Sequence, residues 1–300
     1  MIHNRFAGGA RRKQEAFERA MSLLTVAGWE LELVATAAEG HASDIAREAV
    51  SAKSEVVVAA GGDGTVNEVI QGLAHTSVAL GVLPIGTVNV WSREAGFSSD
   101  VVEAARQLSF GRRVLLDLGK AGSRYFLLMA GIGFDAEVTA TLGNGSRRKQ
   151  QLRILPYVLR TVQVLPKYRG ARIEIELDGR RERHDALMVL ASNTRLYAGL
   201  GKPSPSAVAN DGMLDVRVFR GRGPAQSVRH IARFLLQSRS GDSETIRARR
   251  ITVNASPPLA VQVDGDSIGN TPIEISVQPQ ALNAIVPADH HTTLIGPAND

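Results

Sequence analysis

The chain has 300 residues, 44% of them apolar, enough to bury a full core in two domains or one large one. A formal charge of +5 favours anionic partners such as nucleotides or an anionic membrane surface. The absence of cysteine excludes disulfides, thiolate nucleophiles and cysteine-based zinc sites, and an aromatic content of 5% without interleaved basic runs argues against nucleic acid as a partner.

In chain order, Met1-Ile2 precede His3-Asn-Arg-Phe-Ala-Gly-Gly9, so the first strand is either very short or truncated. Phe17, Ala20, Met21 and Leu24 recur at helical spacing and Gly28 ends that helix; a strand is expected over 31–34. A polar helix over 43–51, a strand over 55–60, a helix with Val66, Val69, Ile70 and Leu73 on one face, and a strand over 78–83 follow. Such alternation predicts a parallel sheet with helices packed on it. After Arg112 the pattern turns to short strands. Residues 172–177 alternate cleanly before Asp178-Gly179, a hairpin signal, and further strands are expected over 186–191, 214–219, 251–253, 259–263 and 273–277. Helical inserts are expected near 152–165 and 227–237. The fold class is therefore α/β plus β: an α/β domain over 1–113 and a mostly antiparallel β domain over 114–300. A cleft is expected between them, with the last residues packing back on the first domain.

Chemistry concentrates in three glycine loops. Ala59-Ala-Gly-Gly-Asp-Gly-Thr-Val-Asn-Glu-Val69 leaves a β-branched strand and enters a helix, and Thr65 with Glu68 fits a capping box. The same geometry would aim backbone N–H groups at an anion, approached past residues without Cβ. It is neither a Walker A loop, since no Gly-Lys-Ser/Thr follows, nor a Rossmann fingerprint, since Asn67 holds the third glycine position. A turn does not need Asp63, and a carboxylate beside a phosphate cradle is repulsive unless it holds Mg2+ or accepts a proton. Leu83-Pro-Ile-Gly-Thr-Val-Asn89 and the 3–9 segment have the same character, with Arg11, Arg12 and Lys13 opposing the helix dipole unless they meet phosphate. In a parallel sheet all three loops lie at the carboxyl ends of strands, where open α/β sheets bind ligands.

Gly61-Gly-Asp-Gly-Thr-Val-Asn-Glu-Val69 followed by Leu83-Pro-Ile-Gly-Thr-Val-Asn89 resembles the catalytic domain of the diacylglycerol kinase and sphingosine kinase family, and bacterial YegS/BmrU-type lipid kinases in particular. The resemblance continues through Thr36, Gly40-His41-Ala42, Asp117-Leu-Gly119, Gly131-Ile-Gly-Phe-Asp-Ala136, Asn210-Asp-Gly-Met-Leu214 and Asp264-Gly-Asp266, and so covers nearly the whole chain in order. It implies a Rossmann-like α/β domain followed by an antiparallel β-sandwich, and ATP bound by Asn4, Thr36, Gly61, Gly62, Asp63, Gly64, Thr65, Val66, Asn67, Gly86 and Thr87, with Asp63 near the transferring phosphate and Mg2+. It also implies a hard-cation site, for Mg2+ or Ca2+, at the Asp211 carboxylate and the carbonyls of Val208 and Met213. Turn chemistry alone would also account for Asp211-Gly212. Asp117 and Asp135 are placed in a carboxylate network around the magnesium, with a helix cap the alternative for Asp135.

Asp266 stands where bacterial relatives carry the Glu proposed as base for the lipid hydroxyl, and Arg5 stands where the family has proline. The resemblance thus implies Asp63 and Asp266 as the catalytic pair; the alternative for Asp266 is a strand-start residue after an ordinary Asp264-Gly265 hairpin turn. The acceptor implied is a lipid hydroxyl on a diacylglycerol-like, phosphatidylglycerol or sphingoid molecule at an anionic membrane; a homodimer is admitted. The stripe of Leu152, Leu155, Leu159, Val162 and Leu165, and that of Ile231, Phe234, Leu235 and Leu236, both with flanking Arg, together with Arg147-Arg148-Lys149, read as interfacial elements or as core faces and exposed loops. Without an apolar run of about 18 residues or an apolar leader, the expected place is the cytoplasm, peripheral at the inner membrane face. Two alternatives remain: a kinase of a soluble substrate of the NAD kinase type, which shares GGDGT, and a nucleotide- or lipid-binding module without turnover.

Overall fold

The computed structural model describes residues 1–5, 7, 13–142, 163–164, 168–197, 201–223, 226, 245–289 and 294–296. Arg11, Arg12, the 152–162 and 227–237 stretches, Arg147 to Lys149 and His290-His291 lie outside the described residues. These divide into two compact units, one built from residues 1–118 and 279–296, the other from 119–278.

The first unit runs β1 (Ile2–His3), α1 (Gln14–Val26), β2 (Val34–Ala35), α2 (His41–Ser51), β3 (Val56–Gly61), α3 (Asp63–Leu73), β4 (Ala79–Pro84), α4 (Val90–Glu94), α5 (Val101–Ser109) and the start of β5 (Arg112–Ala121). β2, β1, β3 and β4 are parallel neighbours in that order, with His3 beside Ala60 and Gly61 beside Pro84. β3 and β4 are buried on both faces, as strands flanked by helices must be. Phe17, Ala20 and Leu24 of α1 and Val66, Val69, Ile70 and Leu73 of α3 are the buried helix faces. Each such side chain contributes roughly 1.5–3 kcal/mol for full burial of a Val, Leu, Ile or Phe. At Gly72 a Cβ would lie 2.7 Å from Ala46 Cβ and 2.8 Å from Ser43 O, so α2 and α3 cross where only glycine fits.

The expected strand over 31–34 is reduced to Val34–Ala35: only Met1 to His3 offer a partner, with Val34 N–H on Met1 O and Thr36 N–H on His3 O. The capping box is also not formed. Helix α3 starts at Asp63, with extended Gly62 as N-cap and no side-chain cap. Thr65 therefore sits within the first turn, and Glu68 accepts the Ala42 N–H of α2 instead (3.2 Å).

The second unit takes β5 onward: β6 (Arg124–Phe126), β7 (Met129–Gly133), α6 (Phe134–Leu142), β8 (Ala171–Leu177), β9 (Arg180–Ser192), β10 (Leu214–Arg220), β11 (Thr245–Ala248), β12 (Arg250–Ser256), β13 (Ala260–Val263), β14 (Asp266–Asn270) and the first part of β15 (Ile273–Val286). Its pairings are antiparallel: β14 to β13 to β7 to β9 to β8 to β12 to β15, with β10 between β9 and β11. The alternation read in 172–177 buries Ala171, Ile173, Ile175 and Leu177 in the core. Asp178 (φ 48°) and Gly179 (φ 90°) make the hairpin, both left-handed as a type I′ turn requires. Beyond Gln278, β15 belongs to the first unit, where Ala284 lies parallel to Leu80. Among the described residues no helix is long and apolar enough to cross a membrane.

Candidate active site

Three loops leave the carboxyl ends of adjacent strands in the first unit: Asn4 after β1, Gly62 to Gly64 after β3, and Ile85 to Thr87 after β4. From β1 the chain moves outward to β2 and then returns to the opposite side of β1 to lay down β3. That reversal makes the β1/β3 gap a topological switch point, the place where open α/β sheets leave a crevice. Asn4 spans it: its N–H binds Ala60 O (3.0 Å) and its Nδ2 donates to Thr65 Oγ1 (3.0 Å).

The β3 and β4 loops are pressed together backbone to backbone. Gly86 N–H donates to Gly61 O (3.0 Å), and a Cβ on Gly86 would lie 2.5 Å from Gly62 Cα. At Gly61 a Cβ would strike Thr65 Cβ at 2.6 Å, whereas at Gly64 it would meet nothing within 4 Å. Gly61 and Gly86 are thus glycines of packing, a Cβ on Gly62 would meet Gly86 Cα at an ordinary 3.4 Å, and Gly64 leaves open space over the helix start. The first N–H groups of a helix have no intrahelical acceptor and carry the positive end of its dipole. Here Thr65 and Val66 N–H bind Gly62 O (2.9 and 3.1 Å).

Asp63 ties this loop to the next helix. Its Oδ1 accepts the Trp91 N–H (3.1 Å) at the start of α4, whose N-cap, Asn89, is left-handed (φ 51°) and makes no side-chain cap there. Asn89 Nδ2 closes the other loop onto Gly86 O (2.8 Å). Lys13, at the N-cap of α1, sets its Nζ on Pro84 O (2.6 Å), so this cation grips the base of the β4 loop. Thr87 is exposed and Thr36 buried. Thr65, Val66 and Asn67 are also buried, so their side chains support the loop from within. His3 stacks on Phe17 at 4.5 Å between centroids, and burial, aided by the Arg5 charge, holds its pKa below the usual imidazole value.

In the second unit the Asp264–Asp266 hairpin joins β13 to β14 through left-handed Asp264 (φ 47°) and Gly265 (φ 91°). The two carboxylates have separate surroundings. Asp264 accepts three backbone N–H groups, from Leu127 (2.8 Å), Leu128 (2.9 Å) and Met129 (2.9 Å), and is a structural anchor. Asp266, half-buried at the start of β14, faces Arg124 at 3.6 Å. Gln262 ties the hairpin down: its Oε1 accepts the Gly265 N–H (2.8 Å) while its Nε2 donates to Asp135 Oδ2 (2.6 Å). Asp135, in the first turn of α6, also receives the Tyr197 hydroxyl. Asp117 accepts the Gln280 N–H (2.8 Å) in the first unit. These two carboxylates carry bonds within the fold, and neither bond caps a helix.

Trp91, Arg124, Tyr197 and Gln262 were not foreseen. Gln262 alone left a signal, as the one polar residue of a strand, Ala260–Val263, buried at every position. Of the cation set Val208, Asp211 and Met213, the Asp211 carboxylate already accepts Met213 N–H at Oδ1 (3.0 Å) and meets Arg247 at Oδ2.

Residues 1–121 match the family described as diacylglycerol kinase catalytic domain, and residues 129–286 that described as YegS C-terminal NAD kinase beta sandwich-like domain. A protein named diacylglycerol kinase from Bacillus subtilis is 32% identical over 268 residues, 88% of this chain and 88% of that one. A protein of Pseudomonas putida, named "Probable lipid kinase YegS-like", is 31% identical over 285 residues, 93% of each chain. The crystal structure of a diacylglycerol kinase from Bacillus anthracis str. Sterne shares the fold, with a TM-score of 0.74 at 24% identity over 92% of each chain. With the α/β unit of glycine loops and the β-rich unit both matched in order, the chain belongs to the diacylglycerol kinase family of lipid kinases, which includes the YegS-like proteins.

Proposed function

We propose that the chain transfers the γ-phosphoryl group of ATP to a hydroxyl of a membrane lipid of diacylglycerol, phosphatidylglycerol or sphingoid type. One observation carries the donor half: Asn4, Gly61 to Gly64 and Pro84 to Thr87 converge at the carboxyl ends of parallel strands, at the switch point, with uncapped helix N–H groups and Gly64 open above them. Such a surface suits the phosphates of a nucleotide.

The residues present fit a magnesium that arrives on the nucleotide. Among the described residues no group of three acidic or histidine side chains could hold a metal alone. Magnesium in kinase sites takes one or two carboxylates plus phosphate oxygens, and Asp63 supplies the carboxylate. Bound there, it would neutralise phosphate charge and polarise the transferring group.

The chain's own part is to position and to neutralise charge, because the transition state of phosphoryl transfer is loose. The α3 N-terminus takes phosphate charge through backbone N–H groups that need no reorganisation. The lipid oxygen forms its bond to phosphorus as the bond to the ADP oxygen breaks, and the alcohol proton leaves late. Asp266 is the acceptor for that proton, since Asp264 is committed to three backbone N–H groups. Exposed Phe110 and Leu115, with exposed Arg112 and Arg113 between them, support contact with an anionic lipid surface.

The test is transfer from labelled ATP with Mg2+ to diacylglycerol, phosphatidylglycerol, sphingosine, ceramide and NAD, in vesicles or free as solubility dictates. Label in a lipid supports the reading. Label in NADP alone would sink it in favour of a soluble-substrate kinase, and no transfer to any acceptor would leave a binding module.

A further inference from the structure

The turn at Asp211-Gly212 in the second unit is built around a charge. Asp211, partly buried, offers Oδ1 to the Met213 N–H (3.0 Å) and turns Oδ2 to the Arg247 guanidinium. The approach of Arg247 is dictated by register. It lies on β11 directly opposite Asp215 of β10, so cross-strand pairing puts the two side chains on one face. Its Nε is 3.8 Å from Asp215 Oδ1. Asp215 is buried, with its other oxygen taking the Ser206 hydroxyl (2.7 Å). Arg217, two residues along the same strand, also interacts with the Asp215 charge.

Both carboxylates thus lie within reach of one guanidinium, that of Arg247. A divalent cation at Asp211 would have to displace Arg247 from Oδ2 or sit against its positive charge. It would gain a carboxylate whose other oxygen is already committed to a backbone N–H. The arrangement does not fit a metal. It does fit a fork-shaped cation, because one guanidinium spans two carboxylates that a single metal ion would draw together.

We infer that the Arg247 guanidinium holds the Asp211–Asp215 turn in the place of a divalent cation, so that the β10–β11 region of this chain folds independently of metal. This goes beyond the kinase reading and does not depend on it, since the magnesium of phosphoryl transfer is carried by the nucleotide in the other unit.

The experiment is thermal melting of the full chain, without nucleotide, in EDTA, MgCl2 or CaCl2, combined with elemental analysis after dialysis. The wild type is expected to melt at one midpoint in all three and to retain no divalent ion. R247M is expected to melt roughly 2–6 °C lower, the scale of a lost partly exposed charge pair in a domain of this size. Its midpoint is expected to recover in CaCl2 or MgCl2, and the recovery to vanish in R247M/D211N. A wild-type chain that melts earlier in EDTA, or that retains one ion removed by D211N, overturns the inference. So does an R247M protein that is destabilised and indifferent to metal, because the turn would then not be a cation site. Should R247M fail to fold, elemental analysis of wild type against D211N decides alone. Metal in neither supports the arginine, and metal in wild type only refutes it.

Discussion

The Gly61 to Thr65 loop and the Asp264 to Asp266 hairpin both present a carboxylate at a tight turn, but they are made of different material. The loop is built mostly from backbone, with glycines in contact and helix N–H groups; Asp63 joins it to α4 through Trp91, and Thr65 joins it to Asn4. The hairpin is built from side chains: Asp264 on three N–H groups, Gln262 on Gly265 and Asp135, Arg124 facing Asp266. Under the proposed function, the loop would bind the invariant part of the substrate with peptide groups, and the hairpin would take a proton from a variable acceptor with a carboxylate held by neighbours.

Substitutions can break that contrast, and the largest effect is expected at Asp63. D63N keeps an acceptor for the Trp91 N–H and loses the charge, so turnover should fall on the order of 10²–10³-fold with little change in melting. Normal turnover in D63N would reduce Asp63 to a brace for α4. Next comes the hairpin pair. D266N should lower kcat by about 10²-fold at unchanged stability, the lower end of general-base effects. D264N should cost about 2–3 kcal/mol in urea unfolding, since a charged acceptor of three backbone donors becomes a neutral one. If D264N melts normally and has lost turnover, the two carboxylates have exchanged roles.

Smaller still is G86A, where the new methyl meets the Gly62 backbone: about 1–3 kcal/mol of overpacking, with nucleotide affinity falling alongside. Q262L should cost about 1–2 kcal/mol by orphaning the Gly265 N–H and one oxygen of Asp135, read as a lower urea midpoint.

The smallest effect concerns pH. His3 is held below its usual pKa, so the unfolded chain binds the proton more readily. Stability from this group is complete above about pH 6.5 and declines as pH falls below it. Urea midpoints between pH 7.5 and 5 should fall less steeply in H3Q than in wild type.

Much of the fold was legible because periodicity follows burial. The face of Val66, Val69, Ile70 and Leu73, the alternation of 172–177 and the Asp178-Gly179 turn all stand as read. Strand β2 was overread because an apolar run does not reveal how short its partner is. The capping box failed because Thr65 and Glu68 had long-range partners, Asn4 and Ala42, that local spacing cannot encode. Motif residues marked the loops, but the division of labour between Asp264 and Asp266 depends on N–H groups of residues 127–129, far away in sequence. The same holds for Arg247, whose meaning at Asp211 appears only once β11 is laid beside β10.

The contact of Gly62 with Gly86 has a kinetic consequence. Two loops locked through their backbones would offer the proposed nucleotide a floor that needs little rearrangement, so that its association would be set mainly by encounter and its residence time by departure.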